Sequence, residues 1–570
     1  QGFRELWGKA FFLLLLTVAA WPAYAATWYV APDGSGGGTS WQDAGALQAT
    51  VNAASTGDEV WVAAGTYTAA TDPVLTMKAG VALYGGFSGT ESERDQRDWT
   101  TQVTTIDGED MRRCVIGAND AVLDGFVITR GTSDFRGGMY NDNASPTVTN
   151  CTFTGNTSSG MHNSTSSPTV TNCTFTENSR HGMDNDYSSP TVTNCTFTGN
   201  SRAGMTNYYS SSTVTNCTFT GNSDDGMYNK HASPTVTNCT FTGNHWGMLN
   251  STSSPTVTNC TFTENSDDGM YNIDASPTVT NCIFTGNGGY GMDNGSDSSP
   301  TVTNCTFTGN SGGMKNQFNA SPTVTNCIIW GNGATGISEI NGVPSVTYSC
   351  VRGGISGEGN IDVDPMLLAA PGKPKIHPHS PCIDAGTSDG APDTDIMGNP
   401  RPQGAGVDMG AYEGEANEDL VVLTINTSPA DMGRTTPPKG LYCFERGDTV
   451  LITAQDMFGL FKNWSGDVSG DTREISVVMD ADKTATAVFD ENIYYVKADS
   501  TAESPDGRSW ESAYATLQEA VDRAGEDGGG SIWATAGLYT SAAANVLYMK
   551  ERVSVFGGFS GVETELDQRD

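Results

Sequence analysis

The sequence predicts an all-β fold, a parallel β-helix with three short strands in each coil of about 22 residues, and two observations predict it. The first is repetition. The stretch Ser145–Asn156, SPTVTNCTFTGN, recurs almost letter for letter eight more times. Its cysteines, Cys151, Cys173, Cys195, Cys217, Cys239, Cys260, Cys282, Cys305 and Cys327, mark a period of 22 residues with slips to 21 and 23, and a weaker tenth copy ends at Cys350. A unit this short cannot bury its own apolar face, so copies must stack around a shared core. The second observation is the content of each unit. Three apolar-centred pieces, Gly160-Met161-x-Asn163, Pro168–Thr171 and Cys173–Thr176, are separated by Gly, Asn and Ser-Pro. None carries a helical pattern. Thr, Val and Phe favour strands, Pro fits a strand's first residue, and Cys173, Thr174, Phe175 and Thr176 alternate with the period of two of a pleated strand.

In such a coil Met161, Val170, Cys173 and Phe175 point inward and stack on their counterparts one coil away, at ~4.8 Å. Asn156, Asn163 and Asn172 are expected at the corners, where Asn tolerates left-handed backbone and its amide can bond to the coils above and below. The cysteine column reads as buried, reduced, small apolar filler. Nine in a row cannot all pair, parallel in-register side chains do not give a disulfide its dihedral, and no C-x-x-C or nearby His suggests a metal. Asn-Cys-Thr also spells a glycosylation sequon, incidental if the Asn is a corner residue.

Phe153-Thr154-Gly155-Asn156 and Gly137-Gly138-Met139 resemble the repeats of polymorphic outer-membrane proteins, and the coil resembles the right-handed parallel β-helices of the pectate-lyase-like superfamily, over roughly residues 27–415. The resemblance implies a right-handed coil and a secreted or surface location. It does not imply an enzyme, because that superfamily holds lyases, hydrolases, phage tailspikes and adhesins alike.

The remaining chain divides as follows. Residues 1–25 read as a signal peptide, with Arg4 and Lys9 before the apolar run Phe11–Ala20, then Pro22 and Ala23-Tyr24-Ala25; the run is too short to span a bilayer. The chain opens on Gln1, which reads as a piece of a longer protein. Residues 26–126 read as the cap and first coils, 127–350 as the repetitive helix, and 351–415 as its closing segment, where Ser380–Gly386 and Asp408–Glu413 resemble the end of bacterial choice-of-anchor proteins. Residues 419–490 read as a small β module, with strands at Val421–Ile425, Thr449–Ala454, Glu474–Met479 and Thr484–Phe489. Its Phe461-Lys462-Asn463-Trp464-Ser465-Gly466 resembles the internalin B-repeat type, extracellular modules that serve mostly as spacers, with Trp464 as core. Residues 493–570 repeat the first cap in order, from Tyr494-Tyr495-Val496 to Asp567–Asp570, and read as the truncated cap of a second β-helix.

A net charge of −36 offers no basic patch for phosphates, so nucleic acid is excluded as a partner. Function is expected where the coils differ. The residue after each Met runs Tyr140, His162, Asp184, Thr206, Tyr228, Leu249, Tyr271, Asp293, Lys315 and is expected to face solvent. On this stripe Asp224-Asp225, His245-Trp246 and Asp267-Asp268 occupy three successive coils beside Tyr228 and Tyr271. Tyr228, His245, Trp246 and Tyr271 are the candidate ligand residues, aromatic surfaces for a sugar ring flanked by carboxylates. Asp225 must then sit in the turn before its strand. Asp225 and Asp268 are also the candidate acid–base pair: two coils place them ~10 Å apart, near an inverting glycosidase's spacing, whereas Asp184 and Asp293 stand ~24 Å apart. Arg180-His181-Gly182 is the nearest approach to a polygalacturonase Gly-His-Gly. Asp384, Asp393, Asp395 and Asp408 are candidate calcium ligands, with solvated turn aspartates as the alternative; no other cofactor is expected. The reading that results is an exported, non-catalytic β-helix, a stalk, adhesin or glycan-binding scaffold whose partner is a polysaccharide or cell-surface glycan. The alternative is a polysaccharide lyase or glycoside hydrolase working on its outer face.

Overall fold

The computed structural model describes residues 25–132, 136–333, 336–340, 342–368, 375–414, 420–429, 432–457, 459–527, 529–540, 547–551 and 553–562. The signal-peptide reading and the final Asp567–Asp570 match lie outside them. The chain forms two compact units, Gln1–Pro255 and Thr256–Asp570.

In the first unit the repeats fold into three parallel sheets, named here by their inward residues. The Met strands (Met161–Ser164 and its equivalents), Val strands (Thr169–Thr171) and Phe strands (Thr174–Thr176) each pair with the same strand of the next coil. Met139 pairs with Met161, Val148 with Val170 and Phe153 with Phe175, so like residues stack in columns. Met, Val, Cys and Phe of the repeats are buried. The Phe rings lie nearly parallel at 4.7–4.8 Å, the strand spacing itself. Pro fits because it opens the Val strand, where its missing N–H breaks no ladder bond and its carbonyl still accepts from the next coil, as Pro168 does from Thr191. The thiols of Cys173, Cys195, Cys217 and Cys239 each accept from the preceding coil's cysteine N–H, at 3.4 Å from Cys173 N to Cys195 Sγ, and each donates to a nearby threonine carbonyl.

Two of the three asparagine placements need correction. Asn163 is not a corner residue. It lies in the Met strand, fully buried, and points inward two residues after Met161. Its column forms an amide ladder through the core: Asn141 Nδ2 donates to Asn163 Oδ1 at 2.7 Å, Asn163 to Asn185 at 2.8 Å and Asn185 to Asn207 at 3.0 Å. A one-way ladder starts on an acceptor without a donor, here Asn141 Oδ1. Asn156 does form a ladder at its corner, bonding Asn178 at 2.9 Å, but the left-handed residue there is Gly155, φ +60°. Asn172 is the expected left-handed corner, φ +52°.

The first cap holds the strands Thr27–Val30, Glu59–Ala63 and Gly65–Tyr67 and the helix Leu47–Ala53. Asp58 ties it together, accepting from the Ala26 and Ser55 N–H groups and the Trp28 indole.

In the second unit the repeats again form three parallel sheets, with Val257, Val279 and Val302 in register. Residues 376–414 do not lie across the end of these coils. They run along the outer face of the Phe sheet. The corner amides reach out to them: Asn281 Nδ2 donates to Thr394 O at 2.7 Å and Asn326 Nδ2 to Thr387 O at 2.8 Å. The outward position of the Phe strand, Thr174 in the first unit, becomes Ile283, Thr306 and Ile328 beneath this segment. Ile283 packs on Ala411 and Tyr412, and Thr306 Oγ1 accepts from Ala411 N at 3.0 Å.

Residues 420–491 form two small, mostly antiparallel sheets around Trp464, whose indole donates to Thr472 O at 3.0 Å. The strands Gly433–Thr436, Gly440–Glu445 and Gly459–Gly466 were not foreseen; Gly and turn residues mask their alternation. A last parallel sheet, Ile493–Val496, Gly530–Thr535 and Val553–Phe559, with the helix Leu517–Glu526, repeats the first cap's aromatic cluster. Trp61 stacks on Phe87 at 4.8 Å and Trp533 on Phe559 at 4.8 Å; Tyr29 meets Trp41 at 4.9 Å and Tyr495 meets Trp510 at 4.6 Å.

Candidate functional site

The outer face of the Met sheet is where coils differ, and backbone packing fixes how residues are presented there. A Cβ on Gly182 or Gly204 would come within 2.6–2.9 Å of the next coil's carbonyl and of a Phe ring, so glycine must precede Met. The residues two and three before Met therefore sit in a turn, and the residue after Met projects from the strand's outer side.

Contrary to expectation, this outward column is not freely solvated. Tyr140, His162, Thr206 and Asp293 are all buried. In-register side chains one strand spacing apart cover each other, and turn side chains flank them. Tyr140 pairs with His162, His162 with Asp184 and Asp184 with Thr206. His162 Nδ1 lies 3.1 Å from Asp184 Oδ2, and Thr206 Oγ1 donates to Asp184 Oδ1 at 2.5 Å. Burial alone would raise the Asp184 pKa, but the bond from His162, the nearby His181 and the Thr206 hydroxyl outweigh it and hold the carboxyl at about 2. Burial pushes His181 down to about 4 despite Asp184, and its Nδ1 has no hydrogen-bond partner. Arg113 and Arg136 cover the Tyr140 ring at 5.1 and 4.3 Å. The sequence reading named these residues only as a column. Their shared repeat position was the signal that could have joined them.

Of the residues singled out from sequence, Asp225 does sit in the turn before its strand, as required. It is buried, its Oδ1 is unpartnered, and burial followed by the Asp224 charge pushes its pKa up to about 7. His245 stacks on Trp246 at 4.4 Å, 12° from parallel, so one indole face is already covered. Tyr228 is half-buried in the strand between.

In the second unit Asp268 accepts from Tyr290 N at 2.6 Å, and burial raises it to about 7, with Asp267 and Asp293 contributing. Tyr271 pairs with Asp293 and Asp293 with Lys315, whose Nζ lies 2.9 Å from Asp293 Oδ2; Gln317 Nε2 bonds the other oxygen at 3.2 Å. Asp225 and Asp268 thus belong to different units, each with its own surroundings.

Three of the four aspartates considered for calcium, Asp384, Asp395 and Asp408, accept turn N–H groups with their carboxylates. Asp395 accepts from Met397 N, Asn399 N and Glu413 N; Asp408 from Asp384 N and Gly414 N; Asp384 from Gly406 N. The buried Arg401, paired with Glu413 at 2.5 Å, supplies the positive charge in this acidic cluster. Among the described residues one group, His377, His379 and Asp482, brings ligand atoms within 4.8 Å of one another. His377 Nδ1 already accepts the His379 N–H at 2.8 Å, which leaves the neutral ring's proton on Nε2 and no free lone pair for a metal.

Residues 133–254 and 248–353 match the family described as the right handed beta helix region. The repeat array is a right-handed parallel β-helix. Residues 423–493 match the divergent InlB B-repeat domain. No curated protein matches the chain. Among solved structures, the β-helix is similar to the mannuronan C-5 epimerase AlgE6 A-module of Azotobacter vinelandii, with 15% identity over 52% of this chain and 94% of that one and a TM-score of 0.39. Pectate lyase Pel9A shares 16% identity over 69% and 97%, TM-score 0.37, and XylC in complex with xylose 10% over 68% and 99%, TM-score 0.45. These likenesses concern the fold alone. No helix among the described residues is long and apolar enough to cross a membrane.

The buried Asp225 gives the β-helix a pH dependence. A carboxyl raised from 3.8 to about 7 binds its proton more tightly when folded, so stability falls as pH rises through that window and levels off above it. Asp225→Asn is expected to match the wild type near pH 4 and to exceed it at pH 8, read as urea midpoints. Equal midpoints at pH 8 would contradict the assignment.

Proposed function

We propose that the protein is a secreted or cell-surface scaffold that binds a polysaccharide or cell-surface glycan along the outer face of its Met sheet, without turning it over. The observation that carries this reading is the contrast between columns. The inward Met, Asn, Val, Cys and Phe repeat, while the outward column sets the Tyr140 ring against His162 and joins His162, Asp184 and Thr206 by hydrogen bonds in one row. Aromatic rings edged by fixed polar groups suit sugar rings and hydroxyls. Asp184 and Asp293 have both oxygens engaged, which suits a rigid binding surface better than an attacking carboxylate. The signal-peptide pattern and the InlB-type module favour display outside the cell.

One observation favours the enzyme alternative, a polysaccharide lyase or glycoside hydrolase. Asp225 and Asp268 are buried carboxyls raised to about 7, the state a general acid needs. A glycan array combined with reducing-end and unsaturated-product assays separates the readings. Binding without products, weakened roughly tenfold by Trp246→Ala, fits loss of a stacked ring worth about 1.4 kcal/mol. Turnover lost in Asp225→Asn or Asp268→Asn would establish the enzyme instead. Neither binding nor turnover would leave a spacer.

A further inference from the structure

The weaker tenth copy of the repeat ends at Cys350, and the strand register shows that this cysteine does not join the column of the other nine. In the Phe sheet Cys350 pairs with Ile328, the residue after Cys327. The ladder position is taken by Ser349, whose hydroxyl accepts the Cys327 N–H at 3.0 Å where a thiol accepts it in the coils before, as Cys327 Sγ does from Cys305 N at 3.4 Å. Adjacent strand residues face opposite sides. Cys350 therefore faces away from the β-helix core, in the outward column of Ile283, Thr306 and Ile328 that residues 376–414 cover.

The covering residue at this point is Cys382. Cys350 and Cys382 share one fully buried cluster with Ile328, Ile376 and Met409. Inside that cluster the neighbouring Cys350 thiol, with burial, holds the Cys382 thiol far above its ordinary pKa, while Cys350 Sγ donates to Val363 O at 3.1 Å. Backbone bonds fix both ends: Cys350 N donates to Cys327 O at 2.8 Å, and Met409 N to Cys382 O at 3.0 Å. The ladder thiols have a different geometry, each held by a neighbour's N–H in parallel register and facing no opposing chain.

We infer that Cys350 and Cys382 form a disulfide that latches the closing segment onto the last coil of the β-helix, while the ladder cysteines stay reduced. The oxidant is a disulfide, such as glutathione disulfide in an oxidising compartment. The Cys350 thiolate attacks it, forming a mixed disulfide and releasing one thiol. The Cys382 thiolate then displaces the second thiol and closes the Sγ–Sγ bond. Two electrons pass to the oxidant, and the two protons leave with its thiols. Both cysteines are inaccessible once docked, so the exchange takes place before the segment settles, and the finished bond is shielded from reductants.

The test uses the full chain folded with glutathione disulfide, then unfolded in an alkylating reagent without reductant and digested. The expected result is a linked pair of peptides carrying Cys350 and Cys382, lighter than the separate peptides by two hydrogens, with Cys173 through Cys327 alkylated. Alkylation of both Cys350 and Cys382, or either one bridged to another cysteine, would overturn the inference. A second readout is independent of peptide mapping. Cleavage within residues 376–414 is expected to be several-fold slower in oxidised than in reduced wild type, and insensitive to the oxidant in the Cys350→Ser, Cys382→Ser double variant. The same oxidant response in that variant would also overturn it.

Discussion

Phe197→Ala is expected to lower the stability of the first unit by about 3–5 kcal/mol. The ring is fully buried between Phe175 at 4.8 Å and Phe219 at 4.7 Å, and it lies against Gly182, where a Cβ would sit 2.8 Å from its Cδ1. Neighbouring rings are fixed by their own strands and cannot collapse into the space, so the loss of transfer energy is joined by a cavity cost. In a solenoid each coil is stabilised by its two neighbours. The damage should therefore be local: amide exchange should accelerate most in the strands Thr174–Thr176, Thr196–Thr198 and Thr218–Thr220. Uniform acceleration throughout the unit, or a loss below about 1 kcal/mol, would contradict the stacked-column account.

Asn163→Ala is expected to cost about 2–6 kcal/mol, from two buried groups left unsatisfied at about 1–3 kcal/mol each. Asn141 Nδ2 loses its acceptor and Asn185 Oδ1 its donor, both in the dry core. The corner offers a control in the same chain. Asn194 sits at φ +53° and its amide bond to Asn172 is solvent-exposed, so Asn194→Gly keeps the backbone conformation and should change stability by less than about 1 kcal/mol. Urea midpoints of the two variants should therefore differ widely. Similar midpoints would mean that the inner ladder is not a closed hydrogen-bonded column.

The inward columns were legible because Met161, Val170, Cys173 and Phe175 obey the period of two and recur at one spacing. Asn163 was misplaced for a physical reason: a lone Asn signals a turn, and only stacked copies can satisfy its amide inside a core. The same logic hid the tie between His162 and Asp184, which are 22 residues apart in sequence and one strand spacing apart in space. Cys350 shows the opposite failure. The Cys spacing looked continuous, yet Ser349 holds the ladder place, and a slip of one residue turns a side chain to the other face. The isoleucines at 283 and 328, replacing the usual Thr, were the legible trace of the covering segment.

The stacking of one repeat directly on the next underlies the binding face, the amide ladder and the latch. It is tested most directly by pulsed dipolar distances between spin labels at the exposed positions Thr147, Thr213 and Thr235. In-register coils predict separations of roughly 14 Å from Thr147 to Thr213 and roughly 19 Å from Thr147 to Thr235, one strand spacing per repeat. Increments near 10 Å per repeat, the spacing of stacked layers rather than paired strands, would contradict the account.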